Sequence, residues 1–192
     1  MKVIDFSKQN SVMNQYLAEV RDKDYQRNRL LFRNNIRRIG EIMAYEMSKT
    51  FGYTEKAVQT PLGEAKVNVP ADDIVIATIF RAGLPFHTGF LNVFDHAGNA
   101  FVSAFRKYTD KEQTQVGIHI EYLATPNLDG KTLIIADPML ATGGSMELGY
   151  EALVSKGKPK HVHVACVLAT PEGVDYIKTH LPDFAAARQA TD

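Results

Sequence analysis

Three positions in the chain carry the residue types that a polyphosphorylated sugar requires, and each follows an apolar run. Arg81 follows Asp73 to Phe80, Arg106 follows Ala100 to Phe105, and Asp137 follows Leu133 to Ala136. After Asp137 the chain reads Pro138-Met139-Leu140-Ala141-Thr142-Gly143-Gly144-Ser145. A small-residue turn between a strand and a helix lets successive backbone N–H groups and the helix dipole point at an anion. Thr142 and Ser145 add hydroxyl donors. Guanidinium groups grip a diphosphate bidentately and neutralise it, and a lone carboxylate accepts hydrogen bonds from ribose hydroxyls. The turn lacks the Gly-Lys-Ser/Thr ending of a Walker A loop and is not Gly-x-Gly-x-x-Gly. Each arginine taken alone reads as structural or solvated. Their shared position at strand ends is what makes a site, provided that the three strands are neighbours.

The elements that must position these groups are legible from periodicity. Asp73–Phe80, Ala100–Phe105, Leu133–Ala136 and His161–Leu168 are continuous apolar runs of strand length, the mark of strands buried on both faces. Helical patterns fall near 11–20, 27–51, 85–94 and 145–156. In the second, Ile36, Ile39, Met43 and Met47 share a face, and Gly52 is the expected cap. A further helix starts at Thr170-Pro171, with Thr170 as N-cap and proline in the first turn. Strands alternating with helices imply right-handed crossovers and an α/β fold with a mainly parallel central sheet flanked by helices. Residues 58–67, centred on Pro61-Leu62-Gly63, read as a β-hairpin arm. Tyr108 to Val116 is polar and aperiodic, a mobile loop or the tip of a long hairpin, with Gly117–Leu123 pairing back. No repeat or linker divides the chain, so residues 1–192 are expected to form one domain.

Composition narrows the classes further. The 192 residues carry 22 basic and 22 acidic side chains, so a surface that tracks nucleic acid is not expected. No apolar stretch approaches the ~20 residues that span a bilayer, and Met1-Lys2-Val3-Ile4-Asp5 lacks a signal core. The single cysteine, Cys166, lies in an apolar strand and has no basic neighbour to activate it. A reducing cytoplasm is the expected location. Arg27, Arg29, Arg33, Arg37 and Arg38 read as a solvated or subunit-facing surface. His161 and His163 share one strand face without the further ligands that a metal site needs.

Several of these segments resemble one known family. Asp137-Pro-Met-Leu-Ala-Thr-Gly-Gly-Ser145 resembles the loop that binds 5-phosphoribosyl 1-diphosphate (PRPP) in uracil phosphoribosyltransferases. Ile79-Phe-Arg-Ala-Gly-Leu-Pro85 resembles the family's Arg-Ala-Gly-Leu motif, and Ser103-Ala-Phe-Arg-Lys107 its later arginine segment. Leu168-Ala-Thr-Pro-Glu-Gly173 resembles its Ala-Pro-Glu-Gly element. Order and spacing agree from about residue 20 to residue 183. The resemblance implies a type I phosphoribosyltransferase fold, PRPP as donor, uracil as acceptor, and UMP and diphosphate as products. It implies Arg81, Arg106 and Asp137–Ser145 as PRPP contacts, with Arg81, Arg106 and Asp137 nearest the chemistry. The wider superfamily implies Mg²⁺ bound through the diphosphate and ribose, and the family implies a homodimer. The reaction implied is displacement at the anomeric carbon through an oxocarbenium-like state. The protein's part is to position the reactants and stabilise leaving charge.

Two departures accompany the resemblance. Most superfamily members have two adjacent acids at this strand end, whereas here Pro138 follows Asp137. The family's Gly-Leu-Gly-Asp-Ala-Gly-Asp segment, which recognises uracil, has no counterpart in Phe184-Ala-Ala-Ala-Arg-Gln-Ala-Thr-Asp192. No residue is therefore assigned to the base. The tail reads as a truncated or frameshifted gene, or as a variant that recognises its base differently. Two alternatives follow: a PRPP-binding protein of the same fold without transferase activity, and a phosphoribosyltransferase for another base.

Overall fold

The chain order in the computed structural model explains why four apolar runs had to become central strands. A short β1 (Lys2–Asp5) leads into helices α1 (Met13–Arg21) and α2 (Arg29–Ser48). An arm follows, β2 (Tyr53–Thr60) and β3 (Gly63–Pro70). Then come β4 (Ile74–Ile79), α3 (Leu84–Leu91), β5 (Gly98–Tyr108), β6 (Val116–Ala124), β7 (Thr132–Ala136) and β8 (Met139–Leu140). The order closes with α4 (Gly144–Val154), β9 (His161–Ala169), α5 (Pro171–His180) and β10 (Phe184–Thr191). The structure describes the backbone of residues 2–108, 116–181 and 184–191, and the side chains of 2–103 and 119–181.

The main sheet runs β1-β10-β9-β7-β4-β5-β6, with β8 extending the β7 side of β9. Its neighbours are parallel except for the β5–β6 pair. Alternation of side chains along each strand divides the core between two faces. Ile74, Ile76, Ile134 and Ala136 face α1, α2 and α3, where Ile39, Met43, Phe86 and Phe90 are fully buried. Val75, Ala77, Leu133, Ile135, Val164 and Cys166 face α4 and α5, packing with Leu153 and Ile177. With both faces covered, β4 and β7 read as near-continuous apolar runs.

Helices α2 and α3 approach each other through two glycines. A Cβ on Gly89 would collide with the backbone carbonyl of Arg37 and come within 3.0 Å of Gly40 Cα, and one on Gly40 would stand 2.7 Å from the Phe86 carbonyl. Backbone cannot yield as a side-chain tip does, so Gly89→Ala is expected to destabilise the fold by about 1–3 kcal/mol despite alanine's better helix propensity. Denaturant unfolding measures it, and a variant as stable as the parent would show that the crossing can open.

Several expectations need correcting. The hairpin arm expected near 58–67 forms, turning at Pro61-Leu62 with Gly63 at φ 135°, and its strands extend further, over residues 53–70. α2 stops at Ser48, and Gly52 is no cap: its N–H donates to Asp72 Oδ2 at 2.8 Å. Gly157, three residues past α4, sits in the turn that follows it at φ 131°, its N–H donating to the Val154 carbonyl at 3.3 Å. Strands β1, β8 and β10 were not expected. β10 is alanine-rich, with little intrinsic strand preference, yet it pairs with β1 on one side and β9 on the other. Residues 117–123 do pair back on β5, so the hairpin reading of this region holds. The loop or hairpin tip expected at 108–116 lies, apart from its ends, outside the described residues. No helix among the described residues is long and apolar enough to cross a membrane.

Candidate active site

Strands β7, β4 and β5 are consecutive neighbours, all parallel, so the groups that follow them lie along one edge of the sheet. This is the carboxyl edge, where open α/β sheets bind ligands. The three strands are neighbours as the sequence required, and Asp137 and Arg81 stand at adjoining strand ends.

Asp137 stands just past β7. Its N–H donates to the Ala165 carbonyl, and the Val167 and Leu168 N–H groups donate to Pro138 O at 3.1 and 3.0 Å. Pairing with β9 resumes in the same register at Met139 and Leu140. Pro138 therefore interrupts the strand rather than ending it, because only its missing donor has to be skipped. Asp137 is half-buried, and one carboxylate oxygen accepts from Met139 N–H at 3.1 Å. Burial pushes its carboxyl up from 3.8 to about 6, with the Met139 N–H pulling the other way.

The turn after β8 is a cradle. Gly143 is the N-cap residue of α4, in the left-handed region at φ 85°. Asp137, Met139, Leu140, Ala141, Thr142, Gly143, Ser145 and Met146 enclose a small polar cavity of about 80 Å³. Thr142 and Ser145 are exposed at its rim. The free N–H groups at the start of α4 supply the positive end of the helix dipole. The cradle rests on α5: Thr170 Oγ1 donates to the Ala141 carbonyl, and a Cβ on Gly173 would strike the same carbonyl. Thr170 also caps α5, accepting from Gly173 N–H at 3.0 Å, as its sequence position requires.

Arg81 lies just past β4, exposed, after a cis peptide bond from Phe80. It has no ion pair among the described residues. Behind it Gly83 is buried against Thr78, whose hydroxyl donates to the Ala136 carbonyl at 2.9 Å and ties the Arg81 turn to the end of β7. Arg106 departs from expectation. It does not end a strand but sits inside the β5–β6 ribbon, paired with Ile118. Ile79 pairs with Val102, so Arg106 lies four residues, roughly 13 Å, past the end of β4. The ribbon carries it beyond the sheet edge; its side chain is outside the described set.

Sequence reasoning missed an apolar cleft of about 500 Å³ beside the cradle, meeting it at Met139. Phe32 and Arg33 of α2, Arg81, Pro85, Pro138 and Leu168 are among its walls. The lining comes from five separate segments, so no local pattern announces it. Three neighbouring arginines have local partners: Arg27, just before α2, with Asp24, and on α2 Arg37 with Glu41 and Arg38 with Asn35 and the Tyr16 ring. His87, buried with its Nε2 donating to Ile76 O at 3.2 Å, belongs to the core, and burial lowers its pKa. His163 packs against Phe51.

The fold is similar to that of a hypoxanthine phosphoribosyltransferase from Staphylococcus aureus. That structure matches with a TM-score of 0.55 at 19% identity, over 96% of this chain and 83% of that one. The fold is that of the type I phosphoribosyltransferases. A protein from Aquifex aeolicus matches more closely, with a TM-score of 0.85 at 27% identity over 99% of this chain and 87% of that one. In sequence, a uracil phosphoribosyltransferase from Porphyromonas gingivalis is 55% identical over 183 residues, covering 95% of this chain and 84% of its own length. The uracil phosphoribosyltransferase family model matches residues 7–192. The chain belongs to the uracil phosphoribosyltransferase family. The family match extends past residue 183, where the motif-by-motif resemblance ends, and takes in β10.

Proposed function

We propose that this chain transfers the 5-phosphoribosyl group of PRPP to uracil, giving UMP and diphosphate, in pyrimidine salvage. The observation that carries the reading is the cradle at the end of β7 beside Arg81 at the end of β4, in a chain of this family. The cradle N–H groups, Thr142 and Ser145 hold the 5′-phosphate. Asp137 accepts hydrogen bonds from the ribose hydroxyls. Arg81 and Arg106 hold the diphosphate in this reading and stabilise the charge that grows on it as the anomeric bond breaks. The nitrogen of the base then attacks the same carbon. Held in this geometry, the reactants need little further reorganisation.

Mg²⁺ fits this site as a passenger of the substrate. Among the described residues no three His, Cys, Asp or Glu side chains come together to hold a metal, and Asp137 is the one carboxylate in the cradle wall. The cation would ride on diphosphate and ribose oxygens and supply neutralisation of the leaving charge. The whole chain acts as one domain in the cytoplasm. The exposed arm, with Leu62 fully exposed at its tip, suits contact with a second copy in a homodimer.

The pH dependence follows from Asp137. Its carboxyl must ionise to accept from ribose, so kcat/KM for PRPP is expected to fall as pH drops through about 6, and Asp137→Asn to remove that step while lowering the plateau. Folding runs the other way. A carboxyl that holds its proton more tightly folded than unfolded favours the fold at low pH, and stability declines as pH rises from 3.8 to about 6. A pH profile still dropping in the Asn variant would move the titration elsewhere.

Mixing the purified chain with PRPP, Mg²⁺ and labelled uracil tests the reading. UMP is the expected product. A folded chain that binds PRPP but forms no UMP would instead be a binding protein of this fold, and transfer to a different base would reassign the acceptor.

A further inference from the structure

The turn that presents Arg81 is held on its β7 side by the Thr78 hydroxyl, and an aromatic ladder holds it on the other. Phe80, the residue just before Arg81, donates its N–H to the Val102 carbonyl at 2.9 Å and so extends the contact of β4 with β5. Its ring lies between two others. Phe101 of β5 stacks on it with centroids 5.3 Å apart and planes 28° from parallel. Tyr122 of β6 does so with centroids 5.6 Å apart and planes 20° from parallel. Both separations fall in the range where aromatic pairs attract beyond their buried area. Phe101 also meets the His87 ring of α3, with centroids 5.1 Å apart. The segments before and after Arg81 therefore rest on the same ring.

Tyr122 owes its place to an irregularity in the ribbon. Ser103 pairs with Tyr122 but Ala104 with Ile120, which leaves Glu121 as an extra residue in β6. Ser103 Oγ donates to Glu121 Oε2 at 3.0 Å and pins this bulge. A bulge bends its strand and re-aims the side chains beside it. Here the re-aimed ring, itself 49% exposed, lies on the residue next to Arg81 rather than in the core.

We infer that Tyr122 is a positioning residue for Arg81. Its ring holds Phe80 against Phe101, and the Phe80 backbone sets the direction in which the guanidinium leaves the turn. This rests on Arg81 holding the diphosphate of PRPP. Without the Tyr122 ring, Phe80 loses one flanking partner and the turn gains freedom that binding must then remove. The half-exposed position means that little of the core goes with it.

The test compares Tyr122→Thr, Tyr122→Phe, Arg81→Ala and Arg81→Ala/Tyr122→Thr with the parent, as kcat/KM for PRPP in the presence of Mg²⁺ and uracil. Threonine removes the ring and keeps a strong strand preference, and thermal unfolding checks that each variant is folded. Tyr122→Thr is expected to lower kcat/KM by about two- to tenfold, the span of one aromatic pair. Tyr122→Phe keeps the ring and is expected to match the parent. In the Arg81→Ala background Tyr122→Thr is expected to change nothing, because a residue that acts through another is not additive with it. A merely structural role would lower both backgrounds alike. A parent-like Tyr122→Thr, a Tyr122→Phe as poor as Tyr122→Thr, or an equal loss with and without Arg81 overturns the inference. Arg81→Ala alone reports on the premise: if its kcat/KM equals the parent's, the diphosphate assignment itself has failed, whatever Tyr122 does.

Discussion

Arg81→Ala is expected to slow turnover on the order of 10²–10³-fold, the loss that follows removal of one preorganised donor from developing charge. The position argues for so large an effect. Arg81 sits past the end of β4, between the strand that leads to Asp137 and the strand that carries Arg106. Its guanidinium is exposed and has no ion pair among the described residues, so it needs no release from a structural partner before it meets a diphosphate. The turn that presents it is anchored at Thr78 and Gly83, both buried, and neither depends on the arginine side chain. The variant should therefore fold as the parent does. Arg81→Lys is expected to recover part of the rate, since it restores charge but not the two-pronged grip. An unchanged rate in folded Arg81→Ala would remove Arg81 from the site.

Gly143→Ala is expected to weaken PRPP binding on the order of 10²-fold. Two costs add. The left-handed conformation at φ 85° disfavours any residue with a Cβ by about 1–2 kcal/mol. The new methyl would also press on the Tyr176 ring at 2.5 Å. Tyr176 cannot retreat easily, with His180 stacked on it. The turn must open instead, and the N–H groups that should converge on one phosphate then diverge. The change lies in the cradle and touches neither sheet nor core, so thermal stability should fall only modestly while the PRPP dissociation constant rises steeply. Equal affinity in the variant would mean that this turn does not hold the phosphate.

The central strands and the cradle were legible in the sequence because their signals are local. A buried parallel strand is an unbroken apolar run, and Asp137–Ser145 carries its chemistry within nine consecutive residues. Asp137 and Arg81 lie at adjoining strand ends for the same reason: each immediately follows such a run. Arg106 was placed less well. Phe105-Arg106-Lys107 looks like the end of an apolar stretch, yet antiparallel pairing with β6 keeps the strand going to Tyr108, and pairing is not a local property. Strands β1 and β10 were missed on the same grounds. Lys2–Asp5 is short, and Phe184–Thr191 is held extended by its neighbours rather than by its alanines.

Gly52 shows the reverse failure. A glycine at the end of a helical pattern reads as a cap, but here its N–H answers a carboxylate, Asp72, twenty residues on. The apolar cleft and the packing of Tyr176 under Gly143 belong to the same class of feature. Each is assembled from segments far apart in the chain, and nothing in α5 alone marks Tyr176 as a neighbour of Gly143.

The account rests on two separate anion sites, a cradle for the 5′-phosphate and an arginine site for the diphosphate. The most direct test titrates the parent, Gly143→Ala and Arg81→Ala with ribose 5-phosphate and with Mg²⁺-diphosphate by calorimetry. A crossed pattern is expected: Gly143→Ala loses affinity for ribose 5-phosphate and keeps diphosphate, while Arg81→Ala does the opposite. Equal losses for both ligands in each variant, or none in either, would contradict the assignment.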